Sequence, residues 1–448
     1  MKLCTVPLTK VCSNKNPDMT FFNLMDRTRI KSCISNDRIS NLPCDIIDNI
    51  LTYLPLREVV RTSILSREWR YKWVTMPYLV FDEIFQQSLR EKYSIESIIY
   101  QILLLHEGPI IKFILKDADF EFYPAIDHWL HFLSNHHVEE LALWSPFSDQ
   151  LMPYHLFTFD HLRHLYLAHV FIRLPHAFKG FNKLLRLDLV NVVIAPADFK
   201  MLISKCPMLE YMDVKDVYND IGKLEIDAPN LKSFCFSGEL VLICLKNASH
   251  LSKMSIRTTF DAYSTLEPTE SDRSLIEVLG ILSSLESDGG FLRFLAKGGE
   301  PHNLPWHFNH LTDLSLSLIR FQYIVEVKCA LCLIRSSPNL QSLEIESSTS
   351  SKAEMETSTQ YLKAQQKHKI PLGCLKIVKI SDISGLEPEM EFVKLLLLKA
   401  TALRKLEVVS TYIAKEEARS NMLKQLVSFH RASPNAQIIF RDIRYPWS

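Results

Sequence analysis

Ten cysteines and sixteen histidines are the residues of this 448-residue sequence with the greatest capacity for chemistry, so their spacing is the first guide to function. A metal centre or a reactive dithiol needs its ligands at short, fixed intervals. Cys329 and Cys332 form a C-x-x-C, but no second pair accompanies it, and Val327, Leu331 and Leu333 set it in an apolar helical run. Buried core thiols are the expectation. His128, His131, His136 and His137, followed by His155, His161, His164 and His169, match neither H-E-x-x-H nor a Cys/His finger. The patterns G-x-S-x-G, G-x-x-x-x-G-K-[ST] and G-x-G-x-x-G are absent, so the usual nucleophile elbow and phosphate cradles are missing. The expectation is a chain with no catalytic residues, no metal site and no cofactor, which works through contact.

Composition points the same way. Lys+Arg and Asp+Glu both total 51, leaving no broad field to attract nucleic acid or an anionic membrane. Only eleven glycines occur, about a third of the usual ~7%. With 47% hydrophobic and 23% charged residues the chain is globular, and its length suggests more than one core. Residues 1–36 show no periodicity and read as a flexible N-terminal extension, with Met25 as an alternative start. Their apolar patch Thr20–Met25 is too short for a secretory core or a membrane span, which places the expected site of action in the nucleus and/or cytoplasm.

Contact surfaces need elements to hold them, and from Ile110 onward one unit, L-x-x-L-x-L, recurs. It reads Leu162-Leu165-Leu167, Leu184-Leu187-Leu189, Leu209-Met212-Val214, Leu231-Phe234-Phe236 and Leu251-Met254-Ile256, at steps of 20 to 25 residues. After a gap holding a degenerate Leu282-Leu285, it resumes at Leu311, Leu340, Leu375 and Leu403, at steps of 28 to 35. Upstream, Val138-Leu141-Leu143 and Ile110-Phe113-Leu115 extend the series. Alternating leucines bury one face of a strand, and amphipathic turns such as Phe199–Cys206 and Ala330–Ser336 supply helices between strands. This is the grammar of a leucine-rich-repeat solenoid, an α/β fold with parallel strands on the concave side and helices on the convex side. Glu346 to Lys369, rich in Ser, Thr, Lys and Glu, reads as a long solvated loop, and Arg257 to Arg273 as a weaker case.

Positions flanking the buried leucines face the concave side. Those of the types that dominate protein interfaces are Trp144, His164, Tyr166, Arg186, Asp188, Tyr211, Asp213, Lys215, Lys253 and Arg257, the candidate target-binding residues. For any one of them a solvated strand face is the plainer reading; the cluster is what favours binding.

Ahead of the repeats, Ile46, Ile47, Ile50, Leu51 and Leu54 mark one wide helical face between Pro43 and Pro55. Val59, Val60, Ile64 and Leu65 follow, then Ser66 as an N-cap for a third helix with Trp69 and Trp73 at i, i+4. Three helices in about 40 residues cannot cover all their apolar surface. The stretch Asp37-Arg38-Ile39-Ser40-Asn41-Leu42-Pro43, Ile50-Leu51-Thr52-Tyr53-Leu54-Pro55 and Ser63-Ile64-Leu65-Ser66-Arg67-Glu68-Trp69 resembles a plant F-box. Cys374 to Val408 resembles the FBD module, and the three parts together resemble the plant F-box/FBD/LRR-repeat family.

The resemblance implies 37–83 as an F-box, 84–370 as the solenoid and 371–445 as an FBD-like segment that continues it. It implies a non-catalytic substrate-recognition subunit of a Skp/cullin/F-box ubiquitin ligase. On that analogy Leu42, Pro43, Ile46, Ile50, Leu54 and Pro55 face a Skp-type adaptor, with Trp69 and Trp73 divided between adaptor contact and internal packing. The repeats then hold a target protein. Two alternatives stay open: a scaffold whose helices only cap the solenoid, packing those residues on the first repeats, and a receptor gated by a small molecule.

Overall fold

The computed structural model describes residues 42–65, 69–87, 95–116, 125–144, 151–217, 223–238, 242–258, 278–296, 308–349, 355–368, 370–410 and 416–442. The N-terminal extension, the Ser66 cap, the start of the F-box-like motif and most of 257–273 lie outside them. The chain divides into two compact units, one comprising residues up to Pro146 with Pro153–Phe159, the other Phe147–Met152 with everything from Asp160.

In the first unit α1 (Cys44–Thr52) and α2 (Leu56–Arg61) lead to a short 3₁₀ turn, Thr62–Ile64, and a second, Trp69–Thr75. Both helices start behind a proline, Pro43 and Pro55, whose fixed φ suits the entry to a helix. The tryptophans expected at i, i+4 of a third α-helix lie in 3₁₀ geometry instead. The segment is short and runs directly into Pro77 and a strand, the setting in which 3₁₀ turns are common. Next come β1 (Tyr78–Phe81), α3 (Glu83–Gln87), α4 (Ile95–Leu105), β2 (Lys112–Lys116), α5 (Ile126–Ser134) and β3 (Glu140–Trp144). The three strands are parallel, with Tyr78 in register with Lys112 and Lys112 with Glu140.

The second unit carries eleven parallel strands in sequence order: β4 (His164–Ala168), β6 (Arg186–Val190), β8 (Tyr211–Lys215), β10 (Ser233–Gly238), β12 (Lys253–Thr258), β13 (Ser284–Asp288), β14 (Asp313–Ile319), β15 (Ser342–Ser347), β16 (Ile377–Ser381), β17 (Lys405–Ser410) and β18 (Gln437–Asp442). The short strands β5 (Phe171–Ile172) with β7 (Val193–Ile194), and β9 (Lys223–Asp227) with β11 (Leu242–Lys246), form two separate parallel pairs. Helices α6 (Pro196–Ser204), α7 (Gly289–Ala296), α8 (Ile324–Arg335), α9 (Met355–Gln365), α10 (Glu387–Lys399) and α11 (Glu416–Ser428) connect strands. This is the expected α/β leucine-rich-repeat solenoid, and the FBD-like segment supplies its last strands.

The repeat leucines lie where their period puts them. From Leu165 and Leu167 to Leu406 and Val408, nearly every alternate strand residue is buried, stacking on its counterparts in the neighbouring strands. Three elements escaped the pattern. β1 is itself a repeat strand, its Leu79 and Phe81 fully buried, although it lies inside the stretch read as F-box. β18 adds a strand paired with β17. The Ser/Thr-rich stretch read as a loop contains α9, an 11-residue helix. Its inward set is Ser358, Thr359, Leu362 and Gln365, so small polar residues occupy the i, i+1, i+4 positions where leucines were sought.

Candidate interaction surfaces

Two surfaces carry the residues singled out from sequence, one in each unit. On α1 the apolar side chains divide into two adjacent stripes. Ile47 and Leu51, four apart, are buried, as are Leu56, Val59, Val60, Trp69, Trp73 and Met76. Ile46 and Ile50, also four apart, and then Leu54 are 47%, 41% and 37% exposed. Pro43, Tyr53 and Pro55 are exposed and Leu42 is half-buried, so the six residues assigned to an adaptor keep accessible surface. Trp69 and Trp73 do not: at 3% and 2% exposure they belong to the core, and their adaptor-facing assignment is corrected. The two short helices and the 3₁₀ turns offer few other large groups to fill the space beside them. Beside Leu54, a groove of about 420 Å³ opens between the α1–α2 loop and β1, lined by Tyr53, Leu54, Pro55, Tyr78, Val80 and Ile84, with Lys112 at its edge.

Trp144 lies half-buried at the end of β3 in the first unit; the other nine candidate target-binding residues belong to the second. On its open strand face the register aligns His164, Arg186 and Tyr211 in one row, and Tyr166, Asp188 and Asp213 in the next. Asp188 is the exception to their exposure. Its carboxylate, only 6% exposed, accepts Nε–H of Arg186 at 2.9 and 3.1 Å and lies 2.6 Å from Nε2 of His164. Asp188 is therefore corrected from an exposed candidate to a buried anchor of two other candidates, His164 and Arg186. Burial pushes its carboxyl up, but the hydrogen bonds from His164 and Arg186 outweigh that and hold it below the usual carboxylate range. The same bond raises the Arg186 guanidinium, and burial raises the Tyr166 phenol.

The pairing continues across the face. Lys215 Nζ donates to Asp213 at 2.9 Å, Arg257 pairs with Glu286, Lys379 with Glu344, and Lys405 and Arg441 share Glu407. Asp188, Asp213, Glu286, Glu344 and Glu407 thus share one row along the middle of the strands, interrupted by Cys235, Ser255, Ser315 and Lys379. Lys253 is exposed one row below. Sequence reasoning missed Glu286 as part of this row because Ser287 replaces the second leucine of its unit; the unit's remaining signal, Leu282 followed by Leu285, was already visible.

The thiols and imidazoles set aside from sequence are placed as follows. Burial pushes Cys329 up to about 12 on α8. His155 bonds Asp127 at 2.7 Å and packs at a tilt against the His131 ring. Among the described residues no group of three or more His, Cys, Asp or Glu has metal-binding geometry, and no helix is long and apolar enough to cross a membrane.

Comparison with known proteins matches three segments of the chain to family models. Residues 39–81 match the F-box domain, 126–345 the LRR repeats of the family described as FBD-associated F-box protein At5g56370, and 371–408 the FBD. The F-box/FBD/LRR-repeat protein At1g13570 of Arabidopsis thaliana is 36% identical over 413 residues, covering 91% of this chain and 99% of the relative. The putative F-box/FBD/LRR-repeat protein At2g05300 of the same plant is 24% identical over 461 residues, covering 92% and 98%. Among solved structures, the LRR ectodomain of the receptor kinase GASSHO1/SCHENGEN3 from Arabidopsis thaliana aligns with 69% of this chain and 39% of its own, at 12% identity and a TM-score of 0.19, too low to carry an argument. An F-box, a leucine-rich-repeat region and an FBD in that order, with a relative matching from end to end, make this chain a member of the F-box/FBD/LRR-repeat protein family.

Proposed function

We propose that this chain is a non-catalytic substrate receptor of a Skp/cullin/F-box ubiquitin ligase. In this reading the outer stripe of α1 docks on a Skp-type adaptor, and the open strand face of the second unit holds the protein to be ubiquitinated. The observation that carries it is the split of α1: Ile47 and Leu51 already complete the internal core, so Ile46, Ile50 and Leu54 are left for a partner. Burying one such side chain contributes about 1–2 kcal/mol, so the stripe supplies the apolar centre that a stable interface needs. The outward cations and tyrosines of the strand face suit a polar, partly charged partner.

The test is co-expression with a plant Skp-type adaptor and size-exclusion chromatography of wild type against Ile50→Asp. Wild type should co-elute with the adaptor. Ile50→Asp should lose roughly a hundredfold in affinity, because the new carboxylate would be desolvated without a partner. Its melting temperature should stay near that of wild type, since the position is exposed in the free chain. A folded wild-type chain that never binds the adaptor sinks the receptor reading.

A further inference from the structure

Arg186 is held unusually for an exposed arginine. Only its Nε is engaged, against both oxygens of Asp188, and Asp188 is itself fixed by His164 on the adjacent strand. Among the described residues the two terminal nitrogens of the guanidinium have no hydrogen-bond partner, and half of the side chain is exposed. The result is a planar fork, clamped at its base and open at its tip. Such a fork matches the two oxygens of an oxyanion, and the clamp removes much of the rotamer entropy that a free arginine loses on binding.

The surroundings limit what the anion can be. Tyr211 stands beside Arg186 in register, and Tyr166 lies next to Asp188, so aromatic surface flanks the fork on two sides. Arg186 and Lys215 are the cations paired here, and Asp188 and Asp213 the anions. These four charges cancel, so the open tip of Arg186 suits a single negative charge better than two. A dianion would meet two carboxylates within a few ångströms, with like-charge repulsion in a partly desolvated setting.

We propose that the Arg186 fork, flanked by Tyr166 and Tyr211, is an anchor for a glutamate or aspartate side chain of the target, next to an apolar or aromatic residue. The proposal rests on the open strand face being the target-binding surface, and it names the kind of segment that face accepts: an acidic, aromatic-containing polypeptide carrying carboxylates rather than phosphates. The raised affinity of Arg186 for its proton and the lowered affinity of Asp188 for its own agree with a permanently charged clamp.

Fluorescein-labelled nonapeptides (Xaa-Tyr-Gly)3, with Xaa as Glu, Gln or phosphoserine, titrated with the full chain and followed by fluorescence anisotropy, test it. The Glu peptide should bind about tenfold or more tightly than the Gln and phosphoserine peptides. Arg186→Gln should lose that preference, and Arg186→Lys should fail to restore it, since a point charge lacks the fork; both variants should still melt cooperatively, somewhat below wild type because the buried Asp188 carboxylate loses a hydrogen-bond partner. Equal binding of Glu and Gln peptides, a preference for phosphoserine, full affinity in Arg186→Lys, or no binding of the Glu peptide at about 1 mM each overturns the proposal. Adaptor co-elution from the same preparations keeps the two readings apart. Intact adaptor binding with no peptide selectivity removes the fork alone, whereas peptide selectivity without adaptor binding removes the ligase role.

Discussion

Leu318 has a backbone φ of 53° while half of its side chain faces solvent. The conformation recurs at equivalent positions, two residues beyond the second buried strand residue: His169, Asn191, Asp216, Asn247 and Asp382 are left-handed there, and Gly238 has φ of 153°. Where the chain turns off the strand, the amide of such a residue extends the ladder, as in His169 to the Val190 carbonyl and Asn191 to the Lys215 carbonyl. Asn, Asp, His and Gly tolerate that geometry, and leucine is strained in it. Leu318→Asn should therefore raise the melting temperature by about 2 °C, an increment of roughly 1 kcal/mol, with little lost by removing an exposed side chain. Ser287 is a second exception. It is fully buried at the register position of Ile256 and Leu316, and its Oγ has no hydrogen-bond partner. Ser287→Ala should be neutral or stabilising by up to about 1 kcal/mol in urea unfolding, against the usual loss for a buried substitution. Both residues show what was legible at this scale: the leucine phase could be read directly, whereas the left-handed position two residues on, a sparse signal of Asn, Asp, His and Gly, was not sought.

At the scale of elements, periodicity was legible wherever apolar residues carried it and was lost where small polar residues did. Helix α9 is the clearest instance. Leu362 is its fully buried anchor, while Ser358 and Thr359 turn inward beside it and make the stretch look solvated. α9 packs on α10, whose own start is fixed by Glu389: the buried carboxylate accepts Oγ–H of Ser347 at 2.6 Å and the amides of Ser384 and Leu386 at 3.0 and 2.9 Å. One side chain thereby joins a strand end, a turn and a helix N-terminus, a role that no local pattern displays. Leu362→Ala leaves a cavity and should cost about 2–4 kcal/mol, read as a lower urea midpoint; in a solvated loop the same change would cost almost nothing. On α1 the apolar face was legible as one wide band, but its division into an inner and an outer stripe needed the position of the packing partners. The two tryptophans moved inward for the same reason.

Across the whole molecule the order of parts was legible because each has its own grammar, yet the two units should differ in their response to acid. In the first, His106 follows α4 and is buried, and the next amide, Glu107, bonds the Val74 carbonyl at 2.9 Å, tying it to the end of the F-box. Burial, with a smaller repulsion from His136, pulls the imidazole down to about 4. An unfolded chain takes up this proton first as pH falls below the ordinary histidine value near 6.5, so folding stability is unaffected above that value. It is lost progressively toward pH 4, up to about 3 kcal/mol in total. In the second unit burial pushes the Glu389 carboxyl up, which reverses the sign: the folded state binds its proton more readily, and mild acid favours it. Four of the six tryptophans, Trp69, Trp73, Trp129 and Trp144, lie in the first unit, so tryptophan fluorescence weights a melt toward it. Between pH 7 and pH 4.5 the fluorescence melting temperature should fall more steeply than the midpoint read by circular dichroism, which follows both units. His106→Leu should flatten the fluorescence slope while leaving the circular-dichroism trend of the repeats in place. An unchanged slope in His106→Leu would show that another group governs the acid sensitivity of the F-box unit.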